Sequence, residues 1–208
     1  MGEILKFPAE AVKLGYKRVR RRKAAEDPGQ LPLFPKVTAS ILSFTASPGP
    51  FETALLFDER GDAKAAELYF KAIESQDCVA DAYCNLGILE SQNGNTTRAF
   101  DCFTTALKHD PRHSEAHYNL GNLYFELNDF RLAEIHYQMA GEVDPSFANA
   151  YFNLALVQSI NKDFAAAIGA LTKYQALVSG NEARDVEEML RTLKASLATA
   201  KNSRRKST

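Results

Sequence analysis

Small and apolar residues recur along the middle of the chain in a compound rhythm. Leu120, Gly121 and Tyr124 lie close together, followed by Ala133 and Tyr137, then Ala140, then Pro145. The same order stands 34 residues earlier as Leu86, Gly87, Ala99, Phe103, Ala106 and Pro111. It stands 34 residues later as Leu154, Ala155 and Ala167, with Leu171 and Tyr174 in the later slots. Within each block the spacing of three and four is helical, and polar turn signals separate two apolar runs (Asn93-Gly94-Asn95, Asn128-Asp129). A fixed period of this length predicts stacked helical hairpins rather than one closed core.

Those residues resemble the tetratricopeptide repeat pattern W-x2-L-G-x2-Y, A-x3-F, A, P, over roughly residues 46–179. The resemblance implies an all-α fold: a right-handed superhelical solenoid of about four helical hairpins with a C-terminal capping helix. The expected repeats are 46–79, 80–113, 114–147 and 148–181. The first is degenerate, with Glu52-Thr53 in place of Leu-Gly, as suits a unit with no neighbour on one side. After Ser179-Gly180-Asn181 comes 182–200, whose Val186, Leu190, Leu193 and Leu197 make one apolar stripe; 201–208 reads as a disordered basic tail.

Charge divides the chain into parts that a near-neutral total conceals. Residues 1–50 carry nine Lys/Arg against four Asp/Glu, whereas 51–200 carry 12 against 22. A basic arm, 1–45, therefore precedes an acidic body. Six bases fall in seven residues, at Lys17, Arg18, Arg20, Arg21, Arg22 and Lys23. Val12, Tyr16 and Val19 recur at helical spacing, which allows a short amphipathic helix between Pro8 and Arg22. Three roles stay open for the arm: a solvated tether, a phosphate-binding segment for nucleic acid, or a ligand for an acidic protein surface, this protein's own included. Further on, Gln30, Leu31, Leu33 and Phe34 match the Gln-Leu-x-Leu-Phe peptide by which bacterial replication and repair proteins bind the sliding clamp. That resemblance implies the clamp as a partner and a DNA-metabolism adaptor as the alternative function. The other reading is a linker folded onto the first repeat.

Repeat register selects the residues that share one wall. The position before each Leu-Gly or Leu-Ala is Asn85, Asn119 and Asn153, and the family resemblance places this position in the concave groove. An amide offers a donor and an acceptor together, which matches one peptide unit, so the ladder suits an extended peptide held by its backbone. Bonding within or between helices is the competing use. The same register brings in Asp81, Cys84, Ile88, Glu115, Tyr118, Asn122, Asn149, Phe152 and Leu156. None of these is Lys or Arg, which disfavours a receptor that clamps a terminal carboxylate. His109, His113 and His117 are spaced by four, but Pro111 interrupts the helix, so they read as surface histidines rather than a metal face. There is no phosphate loop, nucleophile–base pair or metal-ligand cluster, which predicts a non-catalytic scaffold without cofactor. Three cysteines without a C-x-x-C pair, and no secretory signal or apolar span, predict a soluble cytoplasmic protein.

Overall fold

The computed structural model describes residues 15–20 and 48–206, residues 201–206 by their helical backbone alone. Among the described residues all regular structure is helical. The helices are α1 (Pro50–Glu59), α2 (Ala65–Glu74), α3 (Val79–Gln92), α4 (Thr96–His109), α5 (Ser114–Glu126), α6 (Phe130–Val143), α7 (Ala148–Ile160), α8 (Phe164–Leu177) and α9 (Asn181–Lys206). They pair as α1/α2, α3/α4, α5/α6 and α7/α8, each pair packs on the next, and α9 covers α8. This is an all-α repeat superhelix.

The turns inside the hairpins show why the period is strict. Gly94, Asn128 and Lys162 stand 34 residues apart and all adopt left-handed backbone, with φ of 77°, 61° and 64°. Asp129 and Asp163 then cap the second helix, accepting from the backbone N–H of Leu132 and Ala166. Between hairpins, Asp110 and Asp144 are extended, as a residue before proline must be, and end α4 and α6.

The Leu-Gly pair has a steric cause. A Cβ on Gly87 would lie 2.7 Å from the Phe103 ring, and one on Gly121 would lie 2.8 Å from the Tyr137 ring. Gly87 and Phe103 sit on paired helices, as do Gly121 and Tyr137, so the missing side chain lets an aromatic lie flat between them. At the next repeat the facing residue is Leu171, a smaller side chain, and the glycine position becomes Ala155. Phe103, Tyr137 and Leu171 are all fully buried.

Two stretches depart from the sequence reading. Residues 15–20 are not helical, although Tyr16 and Val19 fit a helical stripe. Their apolar surface and backbone groups are taken up by the solenoid instead. At the other end α9 runs through Lys206, past the expected boundary at 200. Gln30, Leu31, Leu33, Phe34, Arg21, Arg22 and Lys23 lie outside the described residues.

The packing gives a paired expectation for urea denaturation. Gly121→Ala should cost about 1–3 kcal/mol, because the Tyr137 ring must shift within a full core. Gly169→Ala, an exposed position inside α8 where a Cβ meets nothing within 4 Å, should instead stabilise by about 0.5–1 kcal/mol. Equal effects at the two sites would contradict the steric account.

Candidate functional site

The first helices of the hairpins place their asparagines in a row. Asn85 on α3, Asn119 on α5 and Asn153 on α7 are each fully buried, which obliges their amides to find partners. Two of the three find them on the chain's own arm. Asn119 accepts from the backbone N–H of Lys17 at 2.7 Å and donates to the Lys17 carbonyl at 3.0 Å. Asn85 accepts from Val19 N–H at 2.8 Å and donates to the Val19 carbonyl at 3.1 Å. Each amide thus satisfies both backbone groups of one residue, and the residues served are two apart. Alternate residues of a strand-like segment present N–H and C=O to the same side, so one repeat reads two residues. A longer contact, 3.5 Å, joins Asn122 to the carbonyl of Gly15.

Side chains fix the segment in register. Val19 is 2% exposed and packs with Cys84, Ile88, Phe103, Leu120 and Leu123. Tyr16 stacks on Phe103 with ring centroids 6.0 Å apart, receives a hydrogen bond from Ser91 and donates one to Glu126. Burial, opposed by the Ser91 bond, pushes its phenol up to about 12. Arg18 reaches Asp58 at 2.7 Å, and Arg20 lies 3.2 Å from Glu59. The first pair is much the more consequential, since the Asp58 side chain is 1% exposed whereas Arg20 is 80% exposed.

Asp58 also accepts from the Tyr69 hydroxyl, and that hydroxyl accepts from Asn85. The contacts therefore close a ring: Val19 backbone, Asn85, Tyr69, Asp58, Arg18, and back through the peptide bond. Burial raises the Asp58 carboxyl, with Tyr69 and Arg18 pulling it back down. Phe103 stands one repeat after Tyr69 and has no hydroxyl, so Asn119 donates to Cys84 Sγ at 3.4 Å instead. Burial raises the Cys84 thiol well above its usual range.

The other expected positions are more scattered in use. Asn122 accepts from Tyr137 Oη and from Asn153, and Asn153 also donates to Tyr118. Phe152 packs edge-on against Tyr174, and Leu156 is buried. Glu115 and Asn149 line a cavity of about 280 Å³ together with Lys17 and Asp144. Asp58, Glu59, Ser91 and Glu126 were not expected from register. Yet Asp58 lies two helical turns after Phe51, the first-repeat counterpart of Asn85, and Glu126 lies two turns after Asn119. Extending each face by seven residues would have found both.

His109 is exposed as expected, but His113 and His117 are not surface groups. His113 is 4% exposed; its Nδ1 accepts from Ala116 N–H and its Nε2 meets Asp81 at 2.9 Å. His117 is 8% exposed, bonded to the Pro111 carbonyl and 3.2 Å from His136. Pro111 thus contributes a carbonyl that one imidazole caps. Among the described residues no group of three or more His, Cys, Asp or Glu is placed to hold a metal ion, and no helix is long and apolar enough to cross a membrane.

A tetratricopeptide repeat profile matches residues 84–143. Residues 84–143 are thus similar to tetratricopeptide repeats, and the helical hairpins on either side continue the same fold. Mouse (Mus musculus) tetratricopeptide repeat protein 8 is 30% identical over 125 residues, 60% of this chain and 24% of the relative. The probable UDP-N-acetylglucosamine–peptide N-acetylglucosaminyltransferase SPINDLY of Hordeum vulgare is 32% identical over 95 residues, 46% of this chain and 10% of the relative. The chain thus spans a quarter or less of these curated relatives. Among solved structures, the first TPR of Spaghetti (RPAP3) bound to HSP90 peptide SRMEEVD superposes with a TM-score of 0.51 at 23% identity, covering 57% of this chain and 93% of that one. MamA superposes with a TM-score of 0.55 at 18% identity, covering 72% and 96%. Both likenesses are of fold.

The seated arm predicts slow amide exchange at Lys17 and Val19 in deuterium-exchange NMR. Replacing Asn119 with Ala removes two bonds of about 0.5–1.5 kcal/mol each, so Lys17 exchange should accelerate about tenfold. Exchange at the unfolded-peptide rate in the unaltered chain would show the arm unseated. A second expectation concerns acid. Burial, then the neighbouring His117, pushes His136 down to about 4, and burial also lowers His117. Unfolded histidine titrates near 6.5, so the unfolded chain binds protons first and stability falls as pH drops from about 6.5 to about 4. His136→Phe, which keeps a ring against Tyr124, should lose less stability between pH 7.5 and 4.5 by urea denaturation. An equal loss would assign the acid sensitivity to other groups.

Proposed function

We propose that this protein is a non-catalytic protein–protein interaction scaffold that binds an extended peptide segment on the groove lined by α1, α3 and α5. The observation that carries the reading is the double pairing of Asn85 and Asn119 with the backbone of single residues two apart. Backbone pairing gives affinity for any extended chain, and the pockets between amides give selectivity. The peptide-bound Spaghetti domain supports the reading by analogy of fold. Its ligand is acidic at the C-terminus; here the wall carries Asp58, Asp81, Glu115 and Glu126, which favours basic ligands. The second reading, an adaptor tethered to a sliding clamp through Gln30, Leu31, Leu33 and Phe34, uses a different part of the chain and is compatible with the first. The seated arm has Arg18 and Arg20 engaged with carboxylates, which disfavours simultaneous phosphate binding by those two.

Selection of a displayed random dodecapeptide library against the full chain tests the reading. Peptides recovered should lose about tenfold or more in affinity when Asn85 and Asn119 are both replaced by Ala, with the helical content retained by circular dichroism. Recovered peptides that bind the double variant equally well would place recognition elsewhere and overturn it.

A further inference from the structure

The groove is occupied, and the occupant describes what fits. We infer that it selects an extended segment carrying an arginine followed by a β-branched apolar residue, with Asp58 as the specificity-determining residue, and that Gly15–Arg20 holds this site in cis as a resident competitor for such a segment of a partner protein. The inference rests on the peptide-groove reading above and deepens it.

Three observations converge on the arginine. Asp58 is a carboxylate 2% exposed on α1, deep enough that its charge requires a cation or several donors. Of its two oxygens, one accepts from Tyr69 and the other faces the Arg18 guanidinium at 2.7 Å. Tyr69 is itself held by Asn85, the amide that reads the next residue of the ligand. Recognition of the guanidinium and of the following backbone is therefore one connected network, and a ligand lacking the cation leaves a buried carboxylate without its charge partner. The niche beside it is shaped by Cys84, Ile88 and Leu120, closes on Val19 to 2% exposure, and admits a compact apolar side chain. Burial of Asp58 works against its charge and Arg18 works in favour, so an incoming ligand with arginine restores what the departing arm removes.

The competitor role follows from covalent attachment. A tethered segment meets its site at an effective concentration in the millimolar range, so an outside segment of the same chemistry binds the intact chain more weakly than it binds a chain whose arm has been unseated. Within the arm, Arg18→Glu and Val19→Asp together oppose both Asp58 and the apolar niche while leaving the groove unaltered.

The test uses the full chain and a fluorescein-labelled peptide of residues 13–22. Fluorescence anisotropy should show the peptide binding the Arg18→Glu/Val19→Asp chain at least tenfold more tightly than the unaltered chain. On that variant, Arg18→Gln in the peptide and Asp58→Asn in the protein should each cost about tenfold, and the two together little more than either. That non-additivity is a readout a merely structural role for Asp58 would not produce. Equal binding to both chains would overturn the competitor. A scrambled peptide of the same composition binding as tightly, or additive effects of the two substitutions, would overturn the arginine selection while leaving the peptide groove intact. No binding by the arm peptide overturns the inference; the library peptides and their dependence on Asn85 and Asn119 decide the groove separately. Concentration-dependent dimers of the unaltered chain that vanish in the Arg18→Glu/Val19→Asp variant would give the site to a second copy and overturn the partner assignment.

Discussion

One constraint underlies the site: an asparagine amide buried on the inner helix of a hairpin is costly unless its polar atoms find partners. In a stack of helices the neighbouring backbones are already bonded to themselves, so an outside chain with free N–H and C=O groups is the natural complement. Asn85 and Asn119 meet this demand on Val19 and Lys17. Asn153, one repeat on, donates to Tyr118 and Asn122. The same residue type at the same register position thus serves either a ligand or the scaffold, according to whether a hydroxyl or amide stands within reach.

The binding margin is small by design of the chemistry. Four backbone–amide bonds contribute about 0.5–1.5 kcal/mol each, and burying Val19 contributes about 1.5–3 kcal/mol. Ordering six residues costs about 1–2 kcal/mol apiece. The opposing quantities are of one size, so the Arg18–Asp58 pair and the Tyr16 contacts weigh on the balance. On the proposed reading, a segment held this way stays seated in isolation and yields to a ligand with the same groups. The solenoid, by contrast, is rigid where it must be: Gly87 against Phe103 and Gly121 against Tyr137 set the helix separation and hence the spacing of the asparagines.

The fold was legible in the chain because its determinants are local and repeated. The 34-residue recurrence of Leu-Gly and of the aromatic facing the glycine follows from a steric contact made in the second hairpin and again in the third. The asparagine row was legible for the same reason. The seat of the arm was not, because Tyr16 and Val19 are three apart in a segment whose apolar spacing fits a helix; only the three-dimensional surface decides that Val19 enters a niche 66 residues away in sequence. The burial of His113 was hidden by an opposite difficulty. Its imidazole caps α5, a role ordinarily read from Ser, Thr, Asn or Asp. Asp58 looked like one acid among many, since nothing in its neighbours along the chain reveals that Tyr69 and Arg18 close around it.

The central claim is that the arm's backbone is read by the asparagine row. Nuclear Overhauser spectroscopy of the uniformly ¹⁵N-labelled full chain tests it most directly, through contacts between the side-chain amide protons of Asn85 and Asn119 and the backbone amide protons of Val19 and Lys17. The account predicts cross-peaks for Val19 with Asn85 and for Lys17 with Asn119, together with upfield-shifted Val19 methyls against Phe103. Random-coil shifts for residues 15–20, with neither cross-peak present, would contradict it.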